Sequence, residues 1–228
     1  MDHSLRKKIA VVVAGGVGMR MGADRPKQFL ALEGQPILTR TLETFLSSYL
    51  DLEVVLVLPD EHMDSGVQLV QGLPGSNRIR FVKGGETRFH SVQNGLATID
   101  ASSIIFVHDA VRCLLTIDLI HRCNDQALRQ GSAIPAIVSK DSIRWLIDGK
   151  SKSIPRHQIR LIQTPQTFLS EVLLSAYQVK HHPDFTDEAS VVEASGQPIY
   201  LINGEERNIK ITHPDDLITA AQWLRADQ

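Results

Sequence analysis

The chain has 228 residues, of which 43% are hydrophobic and 22% charged, and its formal net charge at pH 7 is −2. This composition excludes a disordered, collagenous or low-complexity chain, and the length fits one compact domain over residues 1–228. A near-neutral charge gives no overall cationic field for nonspecific binding, so we expect neither a nucleic-acid partner nor a membrane partner.

The first eight residues lead directly into an apolar run at residues 9–14. This run is far shorter than the ~20 residues of a membrane-spanning helix, and no cleavage-site pattern follows it. The two cysteines, Cys113 and Cys123, form no CxxC pair, which argues against a disulfide framework and a zinc site. We therefore expect a soluble cytoplasmic protein with reduced thiols.

Short runs rich in Val and Ile predict buried strands at residues 9–14, 54–58, 79–82, 104–107 and 133–138. Apolar residues three and four apart predict helices at 37–45, 90–97 and 117–128, and Thr116 is placed to cap the last of them. Repeated alternation of strand and helix predicts an α/β fold of Rossmann-like type, with a mostly parallel, twisted sheet covered on both faces.

The alternation stops after residue 138. Residues 142–147 and 150–155 predict two short strands around a turn at Asp148 and Gly149, which we interpret as a protruding β-hairpin arm at about residues 139–156. The chain then returns with predicted helices at 170–180 and 188–194, a strand at 199–202, an apolar fragment at 209–211 and a final helix at 214–224.

A glycine-rich segment, residues 14–16 and Gly18, follows the first predicted strand. Glycines at the carboxyl end of a parallel strand let backbone N–H groups approach phosphate oxygens. The segment is not a GxGxxG fingerprint, because Met21 holds the third glycine position, and it lacks the GKS or GKT of a P-loop. Arg20 and Lys27 add two cations, so that this loop is suited to surround a triphosphate.

The sequence at residues 14–29, AGGVGMRMGADRPKQF, resembles the signature of nucleotidyltransferases, which move a nucleoside monophosphate from a triphosphate to a phosphorylated acceptor. Five further motifs follow in the order and spacing of one branch: GGETRFHSV at 84–92, VHDAVR at 107–112, QTPQTF at 163–168, TDEAS at 186–190 and NIKIT at 208–212. That branch is the 2-C-methyl-D-erythritol 4-phosphate cytidylyltransferases of the nonmevalonate isoprenoid pathway. The resemblance extends over residues 9–224.

The resemblance implies transfer of CMP from CTP to 2-C-methyl-D-erythritol 4-phosphate, with release of pyrophosphate. It implies Mg²⁺ bound mainly through the CTP phosphates, and a homodimer that exchanges the arm. Catalytic roles are implied for Arg20, Lys27 and Lys210. Nucleotide binding is implied for Ala14, Gly15, Gly16, Gly18, Gly85, Glu86 and Ser91, and acceptor binding for Asp109, Arg112, Ser142, Arg156, Thr164 and Lys210. No residue is assigned as a metal ligand.

Several of these residues also have a purely structural interpretation. Ser91 is equally suited to the N-terminal turn of a helix, and His108 with Asp109 could form a helix cap. Lys210 taken alone is typical of a solvated charge, and the acidic residues at 186–188 suit a helix N-terminus.

Three other functions remain alternatives. Gly15 and Gly16 also resemble the ribitol-5-phosphate cytidylyltransferases, although TDEAS favours the methylerythritol branch. A dinucleotide-dependent reductase would share the sheet, but the fingerprint and its acidic ribose partner are not found together. A noncatalytic nucleotide-sensing module would keep the glycines without needing the cations, namely Arg20, Lys27, Arg112, Arg156 and Lys210.

Overall fold

The computed structural model describes residues 6–16, 26–99 and 102–226. Within these ranges the strands are β1 (Lys7–Val13), β2 (Ala31–Leu32), β3 (Gln35–Pro36), β4 (Glu53–Leu58), β5 (Ile79–Lys83), β6 (Ser103–Asp109), β7 (Ser132–Val138), β8 (Ile143–Ile147), β9 (Lys150–Ile154), β10 (Arg160–Ile162), β11 (Gln166–Leu169) and β12 (Leu201–Asn203). The α-helices are α1 (Ile37–Ser48), α2 (Met63–Val70), α3 (Arg88–Leu96), α4 (Ile117–Gln130), α5 (Ser170–Ala176), α6 (Glu188–Ala194) and α7 (Pro214–Ala226).

Eight of the described strands form a central sheet in the order β10-β7-β11-β6-β1-β4-β5, and β12 also pairs with β7. Strand β1 pairs in parallel with β4 and β6, and β4 pairs in parallel with β5. Strand β11 lies between β6 and β7 and is antiparallel to both. The predicted α/β class and the mostly parallel sheet are confirmed.

Successive residues of the central strands pack against opposite layers of helices. Ala10 and Val12 of β1 lie in a core with α1 and α4. Val11 and Val13 lie in a second core with α3, α5 and α6. Helix α3 approaches the sheet closely at Gly95, where a Cβ atom would lie 2.9 Å from Val11 Cγ1. These strands are therefore buried on both faces, as their continuous apolar sequence predicts.

The predicted elements correspond well to the observed ones, with differences in some bounds and several elements that were not predicted. Helix α5 ends at Ala176 rather than at residue 180. The strand predicted at 199–202 is β12, which begins two residues later, at Leu201, and ends at Asn203. The apolar fragment at 209–211 has no regular secondary structure. Strands β2, β3, β10 and β11 and helix α2 were not predicted.

Strands β8 and β9 form a separate antiparallel hairpin, so the predicted arm is present. Its turn residues, Asp148 and Gly149, have φ of 47° and 74°. Both angles suit the tight turns that match the twist of the flanking strands. No helix in the described ranges combines the length and apolar character that crossing a membrane requires.

Candidate active site

A cleft of about 330 Å³ opens beside the carboxyl ends of β1 and β6. Ligand sites of open parallel sheets lie at this edge. The cleft is lined by predicted site residues that are far apart in sequence: Ala14, Gly15, Gly16, Lys27, Gly85, Glu86, Ser91, Asp109 and Lys210. Gly18 and Arg20 lie outside the described residues.

The glycine segment and Lys27 are fixed against each other. The Ala14 N–H donates to the Val57 carbonyl, and the Gln28 side-chain amide donates to the Ala14 carbonyl at 2.7 Å. A Cβ atom on Gly16 would lie 3.4 Å from Lys27 Cε, so the lysine stem passes close to this backbone. Lys27 is buried and begins a 3-10 turn directly after Pro26. A cation is thus positioned beside backbone amides.

The loop at Gly85 is closed by Ser91 of α3. The Gly85 N–H donates to Ser91 Oγ at 3.1 Å. A Cβ atom on Gly85 would lie 2.5 Å from His90 Cβ and 3.0 Å from the His90 carbonyl carbon, so a larger residue would force the backbone apart. Thr87 caps α3 by accepting a hydrogen bond from the His90 N–H. Ser91 therefore has the structural role considered above, and its contact with nucleotide stays a prediction.

Asp109, at the end of β6, is surrounded by cations. Its Oδ1 lies 3.1 Å from Arg88 Nε, and its Oδ2 lies 2.9 Å from Lys210 Nζ and 3.7 Å from Arg112 Nε. Burial alone would raise the pKa of Asp109, but attraction to Arg88, Lys210 and Arg112 outweighs it and holds the pKa well below its ordinary value. The carboxylate is therefore ionised and can accept hydrogen bonds from hydroxyl groups.

Arg88 and Glu188 belong to the same network, and neither was predicted as a site residue from the sequence. Arg88 Nη1 and Nη2 donate to the two carboxylate oxygens of Glu188 at 2.6 and 3.0 Å. Tyr177 donates its hydroxyl to the same carboxylate at 3.2 Å. Glu188 is fully buried at the start of α6, which Asp187 caps through a capping box. The acidic segment thus provides both a cap and a buried ion pair.

His108 lies beneath Asp109 and is neutral. Burial is the main cause that lowers the pKa of His108 to about 3. Its Nε2 lies 3.3 Å from the Arg112 carbonyl and must donate to it, so Nδ1 accepts from the Thr164 hydroxyl at 3.0 Å. That hydroxyl also accepts from the Asp109 N–H at 3.1 Å. Thr164 therefore supports the backbone of Asp109 and does not line the cleft.

The remaining predicted acceptor residues lie outside the cleft of their own chain. Arg112 donates to the Asn208 carbonyl at 2.9 Å. It does not line the cleft, but it lies next to Asp109, which does. Ser142 is exposed at the start of the arm. Arg156 is exposed at the end of the arm, where it donates to the Lys140 carbonyl at 2.8 Å. The fold does not bring Ser142 or Arg156 to Asp109 within one chain.

A family model for 2-C-methyl-D-erythritol 4-phosphate cytidylyltransferase matches residues 8–226. The chain belongs to this family. It is 45% identical to the 2-C-methyl-D-erythritol 4-phosphate cytidylyltransferase of Bacteroides thetaiotaomicron, over 92% of this chain and 96% of that protein. It is 36% identical to the enzyme of the same name from Geobacillus thermodenitrificans, over 94% and 96%. The predicted family and the enzyme class, a cytidylyltransferase, are confirmed.

Solved structures of cytidylyltransferases in this family share the fold. A 4-diphosphocytidyl-2C-methyl-D-erythritol synthase from Anaerococcus prevotii superimposes with a TM-score of 0.83 at 26% identity, covering 96% of this chain and 99% of that one. The 2-C-methyl-D-erythritol 4-phosphate cytidylyltransferase of Thermus thermophilus gives a TM-score of 0.74 at 30% identity, with the same coverage. The likeness extends over nearly the whole of each chain.

Proposed function

We propose that this cytidylyltransferase transfers CMP from CTP to 2-C-methyl-D-erythritol 4-phosphate, releasing pyrophosphate. The observation that carries the proposal is the cleft that holds Lys27 beside the Gly16 backbone on one side and the Asp109–Lys210 pair on the other. A triphosphate suits the first side, and a polyol phosphate suits the second. Membership of the family supports the same pair of substrates.

The nucleotide half of the site consists of two backbone segments. We infer that the amides at Ala14, Gly15 and Gly16 approach the CTP phosphates, because glycines leave the backbone open at the end of β1. The loop at Gly85 and Glu86 faces the same cleft and is suited to the cytosine edge. The roles of Gly18 and Arg20 remain predictions from the sequence.

The reaction needs electrostatic stabilisation and no general base. A phosphate oxygen of the acceptor attacks the α-phosphorus of CTP, a new P–O bond forms, and the bond to pyrophosphate breaks with its electrons. The attacking phosphate is already largely a dianion at neutral pH, since its second pKa is about 6. We infer that Lys27, Lys210 and Arg20 stabilise the charge that builds on the transferred phosphoryl group.

The acceptor half centres on Asp109. Its ionised carboxylate is suited to accept hydrogen bonds from the hydroxyl groups of a polyol, and Lys210 lies next to it for the phosphate. We propose that Arg112 and Thr164 act mainly by holding Asp109 in place. Arg112 lies beside the Asp109 carboxylate, and the Thr164 hydroxyl accepts from the Asp109 N–H. Ser142 and Arg156 are proposed to reach the acceptor from another chain.

Mg²⁺ is proposed to bind mainly through the phosphates of CTP. In the described ranges no three His, Cys, Asp or Glu side chains form a group that could hold a metal ion, and the Asp109 carboxylate is engaged by cations. Binding through the phosphates of a substrate is usual for Mg²⁺, which commonly keeps several waters. When bound, the ion would neutralise part of the triphosphate charge.

A homodimer that exchanges the arm is supported by exposed apolar side chains. Trp145 and Leu146 of β8 are 58% and 72% exposed, and Leu161 of β10 is 47% exposed. A two-stranded hairpin is marginally stable in water unless another surface covers it, and large exposed apolar side chains are typical of an interface when they form a patch. We propose that the arm at residues 139–156 extends from a single domain spanning residues 1–228. The buried free thiols, Cys113 and Cys123, fit a cytoplasmic location.

The proposal is tested by incubating the purified chain with CTP, Mg²⁺ and 2-C-methyl-D-erythritol 4-phosphate. We expect pyrophosphate and 4-diphosphocytidyl-2-C-methyl-D-erythritol in equal amounts, and no pyrophosphate when the acceptor is omitted. A noncatalytic nucleotide-sensing module would bind CTP and release no pyrophosphate under the same conditions. That outcome would contradict the proposal.

A further inference from the structure

We propose that Arg88 is a positioning residue for the acceptor: it orients the Asp109 carboxylate and is itself held by the buried Glu188. The inference rests on the proposed function, because it assigns Asp109 to the acceptor hydroxyls. Arg88 is the first residue of α3, Asp109 ends β6 and Glu188 begins α6. One guanidinium thus joins three elements that come from distant parts of the chain.

The geometry uses the planar shape of the guanidinium. One edge of Arg88 meets Glu188 through two parallel hydrogen bonds of 2.6 and 3.0 Å, and Nε points to Asp109 Oδ1 at 3.1 Å. Because the donors have fixed directions, the position of Glu188 determines the direction from which Arg88 approaches Asp109. A lysine, with one ammonium group, could not meet both carboxylates in this way.

Glu188 has a second hydrogen-bond partner besides Arg88, which helps to fix the position of the pair. Tyr177 donates its hydroxyl to Glu188, and the Tyr177 ring stacks on Phe89 with ring centroids 4.8 Å apart. Phe89 follows Arg88 directly in α3. Movement of the Arg88 side chain would therefore leave a buried carboxylate without its cation, which is strongly unfavourable.

This arrangement leaves part of Asp109 available to the acceptor. An ionised carboxylate has about four lone-pair sites, and Arg88 and Lys210 take one on each oxygen, so about two remain for hydroxyl groups. Arg88 also lines the cleft and is 26% exposed. Since a buried ion pair adds little net stability compared with apolar packing, stability alone does not account for a charged network at this place.

The test compares Arg88→Gln, Arg88→Lys and Glu188→Gln with the wild type in steady-state assays that vary each substrate separately. A control is Arg80→Gln, because Arg80 of β5 pairs with Glu53 away from the cleft. We expect Arg88→Gln to lower kcat/KM for the acceptor by about 10- to 100-fold, as small misplacements of a substrate do, while KM for CTP changes less than about threefold. Arg88→Lys should show the same selective loss, Glu188→Gln a smaller one, and Arg80→Gln none.

A second comparison separates positioning from folding. In an Asp109→Asn background, Arg88→Gln should cause little further loss of kcat/KM for the acceptor, because the two residues act as one unit. Thermal unfolding of each variant checks that it is folded. If Arg88→Gln does not fold, Arg88→Lys and Glu188→Gln replace it in both comparisons. Equal losses for CTP and acceptor, or fully additive losses with Asp109→Asn, would overturn the inference. Absence of activity in the wild type would instead contradict the proposed function.

Discussion

The ammonium nitrogen of Lys210 lies 2.9 Å from Oδ2 of Asp109, so the cation proposed for the acceptor phosphate and the carboxylate proposed for the acceptor hydroxyls form one ion pair. Lys210 is partly exposed, whereas Asp109 is buried. The pair joins the end of β6 to the segment that precedes α7, on one side of the cleft. An acceptor that binds here would contact Lys210 with its phosphate and Asp109 with its hydroxyl groups. Recognition of the phosphate is therefore linked to recognition of the hydroxyl groups.

Asp109→Ala should weaken use of the acceptor far more than binding of CTP. Removing the carboxylate deprives the acceptor hydroxyls of a charged hydrogen-bond partner, which is worth about 1.5–3 kcal/mol, or roughly 10- to 150-fold in kcat/KM. The measurement is kcat/KM for the acceptor beside the equilibrium affinity for CTP. An equal fall in both would show that Asp109 is not specific to the acceptor side.

Lys27→Ala should lower turnover by two or more orders of magnitude without unfolding the chain. A preorganised charge near the α-phosphorus is worth about 3–4 kcal/mol in the transition state. Circular dichroism checks the fold, and Lys180→Ala, at an exposed lysine after α5, is the matched control. Turnover within about threefold of wild type would remove Lys27 from the catalytic role.

Complementation between two inactive variants tests exchange of the arm. Lys27→Ala disables a cleft and Arg156→Ala disables an arm, so a mixed dimer regains one intact site. With free exchange of subunits in a twofold dimer, about a quarter of wild-type activity should return. Exchange is verified by mass spectrometry of differently tagged chains. If mixed dimers form and stay inactive, Arg156 acts in its own subunit or has no part in the reaction.

The stability of the fold should depend on the ionisation of His108. Burial lowers the pKa of His108 from 6.5 to about 3, so protons bind the unfolded chain preferentially. The stability from the neutral side chain is complete above pH 6.5 and is lost as the pH falls towards 3. As the pH is lowered, the free energy of unfolding should therefore fall more steeply in wild type than in His108→Asn. The difference in slope should be at most about 1.4 kcal/mol per pH unit.

Urea denaturation between pH 4.5 and 7.5 measures these slopes. His182→Asn is the control, because His182 is largely exposed. Equal slopes in wild type and His108→Asn would contradict the assignment of a buried neutral histidine.

The apolar strands could be predicted because a strand that is buried on both faces has a continuous run of apolar residues in the sequence. Five consecutive residues of β1, Ile9 to Val13, are buried. Strand β11 has no such run, since it begins with Gln166 and Thr167. Gln166 is tolerated inside because its side chain donates to Asp187 and accepts from the Ala189 N–H, partners that only the folded chain provides.

The candidate site also contains residues that could be predicted from the sequence and residues that could not. Lys27, Gly85 and Asp109 could be located from the sequence because each follows a predicted strand or forms part of a motif. The partnership of Arg88 with Glu188 could not, since the two residues are 100 positions apart and meet only because α3 and α6 contribute to the same core. Arg88 stands within the GGETRFHSV motif, but its partner could not be read from the motif.

The most direct test of the proposed function is the comparison of two acceptors at saturating CTP. We predict a higher kcat/KM for 2-C-methyl-D-erythritol 4-phosphate than for ribitol 5-phosphate, measured by pyrophosphate release. A higher value with ribitol 5-phosphate would contradict the acceptor assignment while leaving cytidylyl transfer in place. Absence of pyrophosphate release with both acceptors would contradict the function proposed for this cleft.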